Sequence, residues 1–264
     1  MNLILRHTFL LLVVFAAGVF AQPAPEKAPE KLPYAVGERL VFEAKFSKII
    51  SIGGVADLTF EVAKDDKSSN FLFKANGVSK GSLLKLFRFS FTQDYETTFD
   101  PTSQRVLKTT KNDIQKERVR QSTADFDWSQ LRVTFVETDP KNATRPPRRI
   151  ASNIEEGTFD LTSGMYFLRS QPMSVGKQYE LKISDSGLVY NVPVYVTARE
   201  QQKTILGKVW CWRVEPVVFG TGRLIEQKGS MIIWFTDDER KIPVRSRINA
   251  EIGKVDIKLR SVSK

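Results

Sequence analysis

Hydrophobic residues recur at every second position through most of this chain, and that period decides what it can fold into. Leu40, Phe42, Ala44 and Phe46 alternate with Val41, Glu43, Lys45 and Ser47. After Gly53 and Gly54, which can supply a turn or a bulge, Ala56, Leu58, Phe60 and Val62 alternate with Asp57, Thr59 and Glu61. Side chains on a strand point alternately to opposite faces, so each run buries one face and wets the other. Two such runs separated by turn residues predict a hairpin.

The same logic continues to the end. Phe71, Phe73 and Ala75 follow a polar turn; Val106 and Leu107, Val119, Phe126 with Trp128, and Leu131, Val133 and Phe135 mark further short strands. Tyr179, Leu181 and Ile183, then Val192 to Ala198, Val209 to Val214, and finally Val255, Ile257 and Leu259 carry the second half. Met231, Ile233 and Phe235 alternate with Ile232 and Trp234, which suits a strand covered on both faces. The polar turn 236–241 and a resumed extended pattern through Pro243 and Val244 make it one arm of a hairpin. On the order of a dozen strands predicts an all-β antiparallel meander curled into a closed or half-open barrel, because closure limits exposed edges. One short helix interrupts it: Asp160 can cap a segment to Arg169 in which Leu161, Met165 and Leu168 recur at helical spacing, with Pro172 ending it. Such a helix either plugs an open end of the sheet or moves as a lid.

The N-terminus follows different rules. Arg6, the apolar run Phe9 to Phe20 and the small-residue site ending at Ala21 predict a secretory signal over residues 1–21, too short for the ~20 residues of a membrane span. Residues 22–33, with Pro23, Pro25, Pro29 and Pro33 among charges, predict a stiff linker. Residues 34–262 are then expected to form a single all-β domain. The expected location is periplasmic or secreted, without a transmembrane anchor after cleavage.

Composition narrows the chemistry. The only His is His7, within the signal, and the only Cys is Cys211, between Trp210 and Trp212. A mature chain of this kind has no Ser-His or Cys-His mechanism, no His-rich zinc site and no internal disulfide. Neither a metal nor a cofactor is expected. The full chain carries a net charge of +10, of which Arg6 belongs to the signal, and an exported chain this basic favours anionic lipid or glycan of the cell envelope as partner over nucleic acid.

Candidate residues are correspondingly few. Phe87, Phe89 and Phe91 share one face of an aromatic-rich stretch and could line a cavity for an acyl chain, although core is the plainer role for such a row. Lys141 to Arg149 is a basic, Pro-containing loop that could receive an anion or simply face solvent. Asp237, Asp238 and Glu239 are adjacent on a turn; glycoside hydrolysis needs two carboxyls converging across a bond, ~5 to 10 Å apart, so backbone hydrogen bonding within the turn is the simpler role.

Trp234 followed by Thr236-Asp237-Asp238, Arg240 and Ile242-Pro243-Val244 resembles the C-terminal signature of an exported bacterial family known only as domain of unknown function 3108. Asp160-Leu161 with Met165-Tyr166-Phe167-Leu168-Arg169 resembles its central segment, followed by Val175-Gly176-Lys177. Tyr34, Val36-Gly37-Glu38 and Leu40 resemble its opening. The resemblance spans Tyr34 to Val262 and implies export and this fold, with no assigned activity. Residues and resemblance together predict an exported envelope protein that binds a lipid, a lipid-linked glycan or an envelope partner without catalysis. The alternative is a carboxylate-dependent glycan-active enzyme. Phe87, Phe89, Phe91, Trp234 and Arg240 are the candidate ligand-binding residues; Asp237, Asp238 and Pro243 belong to the turn motif.

Overall fold

A computed structural model describes residues 32–48, 51–81, 85, 88–251 and 253–264, with Ser51 and Ile52 described by backbone alone. Phe87, the signal and most of the linker lie outside the described residues. Among the described residues fifteen strands form one sheet: β1 (Arg39–Ser47), β2 (Ser51–Lys64), β3 (Phe71–Ser79), β4 (Phe91–Asp100), β5 (Arg105–Gln115), β6 (Arg118–Asp127), β7 (Arg132–Thr138), β8 (Arg148–Asn153), β9 (Thr158–Phe159), β10 (Gln178–Asp185), β11 (Leu188–Thr204), β12 (Gly207–Pro216), β13 (Gly229–Thr236), β14 (Pro243–Ala250) and β15 (Gly253–Ser263). Each strand pairs with its neighbour in sequence, apart from a break between β8 and β9, and β1 also pairs with β15. All ladders are antiparallel except the short one between β9 and β10.

The ends of the sheet approach each other without sharing a ladder. The Ser152 hydroxyl of β8 donates to the Gly187 carbonyl in the β10–β11 turn at 2.7 Å. Gly187 has φ +81, and a Cβ there would stand 2.6 Å from that of Phe135 and 2.9 Å from that of Ile150. Only glycine permits both the left-handed backbone and this approach. The result is a barrel-like sheet that stops short of strict closure.

Alternation places the core. Val62 pairs with Phe73, and both are fully buried with Phe99, Val106, Phe126, Val133 and Phe135. Strand β13 is covered on both faces, as its continuous apolar run requires: Ile233 and Phe235 join that core, while Ile232 and Trp234 join a second one with Leu40, Phe42 and Leu259. Gly53 and Gly54 lie within β2, where the β1–β2 register shifts between Ala44 and Phe46.

Two sequence expectations need correction. Strand β4 escapes the alternation count because its buried positions include Thr97, a polar residue satisfied inside the protein rather than by water. The helix α1 (Leu161–Ser170) forms where expected, capped by Asp160 in a reciprocal capping box with Ser163. Its buried face, however, carries Thr162, Ser163, Gly164, Tyr166, Leu168 and Arg169, while Leu161 is 49% exposed. Apolar spacing misses this face because two of its members, Ser163 and Arg169, are polar groups paired within the protein. Gly164 allows α1 to lie against β10, where a Cβ would come 2.7 Å from the Ile183 side chain.

Candidate functional site

The segments that carry the family resemblance converge on α1. Arg169, fully buried, donates to both carboxylate oxygens of Glu38 at 2.5 and 2.9 Å, to the Pro33 carbonyl at 3.1 Å and to the Arg240 carbonyl at 3.0 Å. Its guanidinium lies over the rings of Tyr34 and Tyr166, at 5.5 and 5.3 Å. Tyr166 in turn stacks on Phe73 at 4.3 Å. A planar guanidinium suits this bidentate, ring-flanked position; a lysine could not fill it. Burial pushes the Tyr34 and Tyr166 phenols up, so both stay neutral beside the ion pair.

At the other end of α1 the Asp160 carboxyl is fully buried. It accepts from the Ser163 backbone at 2.7 Å, from the Tyr95 hydroxyl at 3.1 Å and from the Thr97 hydroxyl. Burial raises its pKa above the ordinary carboxylate value, against the lowering effect of those donors. Both knots tie the helix to the sheet, and their charged groups are spent on contacts within the protein.

The turn residues divide in the same way. Asp238 accepts from the Thr236 hydroxyl at 2.8 Å and from the backbone N–H of Arg240 and Lys241, both at 3.0 Å, so it shapes the β13–β14 turn. Asp237 instead pairs with Arg199 at 2.5 Å near the surface. Pro243 opens β14 opposite Phe235, beside a register shift. The Arg240 side chain is half-exposed, with a nitrogen 3.9 Å from Glu38. With Lys241 and Lys264 it borders a cavity of about 600 Å³ next to Arg169.

The other candidates lie apart from this cavity. Trp234 is buried, its indole N–H donating to Glu200 at 2.5 Å, with Arg245 and Arg247 over its ring at 5.2 and 5.5 Å. Phe89 and Phe91 are half-buried, with ring centroids 6.2 Å apart, and Phe91 packs on the cluster of Ala44, Phe46, Val55 and Ala56. The sole cysteine, Cys211, is a buried free thiol pushed up to about 12 by burial.

Sequence reasoning missed a second cavity, a trough of about 760 Å³ on the face of β1–β7 opposite the aromatic core. Cross-strand register builds it from two rows. Arg39, Glu61, Lys74, Glu96, Thr110, Thr123 and Val136 follow one another across seven strands. Thr59, Asn76, Asp94, Asn112, Gln121 and Thr138 form the adjacent row. Charges balance along the lining: Arg39, Lys74 and Lys111 against Glu61, Asp94 and Glu96. Neighbours pair loosely, Arg39 with Glu61 at 4.0 Å and Lys74 with Glu96 at 3.7 Å, while Asn76 donates to Asp94 at 2.6 Å. The Asn112 side-chain oxygen is buried and has no hydrogen-bond partner among the described residues. The available signal was the run of short amides and hydroxyls at the outward positions of β5 and β6, such as Thr110, Asn112, Gln121 and Thr123.

The fold has a solved counterpart. A β-barrel-like protein of domain of unknown function DUF1849 from Brucella abortus superposes with a TM-score of 0.58 at 11% identity, covering 86% of this chain and 96% of its own. A Bacteroides fragilis protein with a YmcC-like fold aligns with a TM-score of 0.33 at 10% identity, over 88% of this chain and 98% of its own. No curated protein matches in sequence. Among the described residues no helix is long and apolar enough to cross a membrane. Residues 41–260 match the family described as "Protein of unknown function (DUF3108)". With helix α1 and the Trp234–Val244 turn inside that span, the chain belongs to the DUF3108 family.

Proposed function

We propose that the protein is an exported, non-catalytic binding protein of the cell envelope, and that the trough across β1–β7 holds the glycan portion of an envelope component. The trough carries this reading: about 760 Å³ lies within the ordinary range for a ligand site, and its walls are hydroxyls, amides and balanced charges. Hydroxyl-rich ligands need donors and acceptors at close spacing, and strand rows present them at the ~5 Å interval between neighbouring strands. The N-terminal signal pattern and basic charge support export to an anionic envelope.

Binding has more support than catalysis. The trough carboxylates Glu61, Asp94 and Glu96 each face a cross-strand partner and line a wide channel instead of converging on one point. An acyl chain held by the Phe87, Phe89 and Phe91 row has less support, since the described apolar interior is filled by Phe73, Tyr166 and their neighbours.

Titration calorimetry of the exported protein with neutral oligosaccharides and muropeptides tests the proposal. Saturable binding is expected, weakened at least about tenfold by Thr110→Trp, which fills the trough from β5 while leaving the core side of the strand unchanged. Absence of binding to every glycan, or equal binding by a folded Thr110→Trp protein, overturns it.

A further inference from the structure

Strands β11 and β12 extend beyond both of their neighbours. Strand β10 pairs with β11 only from Leu188 to Tyr195, and β13 pairs with β12 only from Cys211 to Val214. Beyond Gln202, which still accepts from Arg245, and Val209, which packs on the second core, the hairpin is a two-stranded arm, closed by Thr204 opposite Gly207. Its tip breaks the usual chemistry of turns, which favours Gly, Asn and Asp. Ile205 and Leu206 occupy it instead, 47% and 41% exposed. The Thr204 hydroxyl accepts from the Leu206 N–H at 2.9 Å and donates to the Gly207 carbonyl at 3.1 Å, so the turn holds both side chains outward in a fixed geometry.

The flanking charges are equally unusual. Lys203 and Lys208 are directly opposed across the arm, and neither makes an ion pair among the described residues. Like charges facing each other on a strand pair are destabilising. Residues 201–214 contain no acidic side chain. Trp210, 45% exposed, is three residues beyond Gly207 along β12, about 10 Å at the strand rise, with Arg199 over its ring at 4.6 Å.

We infer that this arm docks the protein onto an anionic lipid bilayer, with Ile205 and Leu206 entering the headgroup–acyl boundary, Lys203 and Lys208 meeting lipid phosphates, and Trp210 at the interface. The ordering matches the depth profile of a bilayer surface: aliphatic tip, cations whose stems reach up to the headgroups, then an amphipathic ring. The opposed lysines choose this occupant over a second apolar surface, because lipid phosphates supply the missing counter-charge. The proposal rests on residues remote from the trough, so its fate and that of the glycan reading are separate.

Co-sedimentation of the exported protein with vesicles of phosphatidylcholine and phosphatidylglycerol at low salt provides the test. Binding is expected, with a blue shift of tryptophan fluorescence that Trp210→Phe diminishes. Ile205→Asp with Leu206→Asp should lower vesicle affinity at least about a hundredfold while leaving thermal unfolding unchanged. Lys203→Gln with Lys208→Gln should lower it about tenfold and flatten the salt dependence, with no change on vesicles of phosphatidylcholine alone. Failure of the unmodified protein to bind phosphatidylglycerol vesicles, equal binding by the Asp variants, or self-association through the tip without vesicle binding overturns the inference.

Discussion

The protein uses charge in two contrasting ways, in the knot around α1 and in the rows across the trough. In the knot, Arg169 and Glu38 have left water almost completely and meet in a bidentate pair. In the trough, Lys74 and Glu96 are both more than 40% exposed and stand 3.7 Å apart. Solvent screens the second pair, whereas the first lies where an unpartnered charge has nowhere to go. The knot is thus a device that fixes the helix and the turn in one arrangement; the trough leaves its charges exposed and only loosely paired.

The largest effect expected from breaking this contrast is at the knot. Arg169→Leu leaves Glu38 buried without a partner and should cost about 3 to 5 kcal/mol in urea unfolding. Combining it with Glu38→Gln should recover a substantial part. A loss below about 1 kcal/mol, the size typical of surface pairs, would erase the distinction.

Asp160 sharpens it by chemistry rather than charge. Asp160→Ala removes the helix cap and orphans the Tyr95 and Thr97 hydroxyls, an expected loss of about 2 to 4 kcal/mol. Asp160→Asn, which keeps an acceptor at the cap, should lose less. Because burial raises the folded-state pKa of Asp160, its contribution to stability is full below the unfolded carboxylate value and is lost as pH rises through the folded one. Acidification from neutrality should therefore widen the gap in favour of wild type over Asp160→Asn. Glu43 has the opposite sign: hydrogen bonds from Lys80 and Arg260 push its carboxyl down to about 2, so its contribution is lost as pH falls through that value. Melts across an acid series on Glu43→Gln and Asp160→Asn should separate the two slopes.

The smallest effects belong to the β13–β14 turn, where both kinds of carboxylate occur side by side. Asp238→Ala removes the acceptor for two backbone N–H groups and the Thr236 hydroxyl, and should cost about 1.5 to 3 kcal/mol. Asp237→Asn should cost less than about 1 kcal/mol, since its Arg199 partner is 44% exposed. Thermal melts of the two variants check the ranking, and equal losses would refute it.

Sequence alternation was sufficient for most strands because it is a local property, visible wherever one face meets core and the other water. It read β1, β2 and β3 directly, and the doubly covered β13 from its unbroken apolar run. The reading became incomplete where polar residues face inward. Thr97 and Asp160 satisfy each other from strand and helix, and Arg169 meets Glu38 across 131 positions of chain, so neither residue type nor spacing identifies them as interior. The trough was hidden for a related reason: its rows join side chains from seven strands, and only pairing register places Glu61 beside Lys74 and Asn112 beside Gln121.

By itself the sequence determined the period-two strands, the position of the helix and its cap, and the overall charge, all of which follow from residues within a few positions of one another. Tertiary structure decided which polar groups are buried, how the sheet curls to bring β8 against Gly187, and where a concave surface arises. Those depend on contacts between distant segments, and on a sheet twist that accumulates strand by strand.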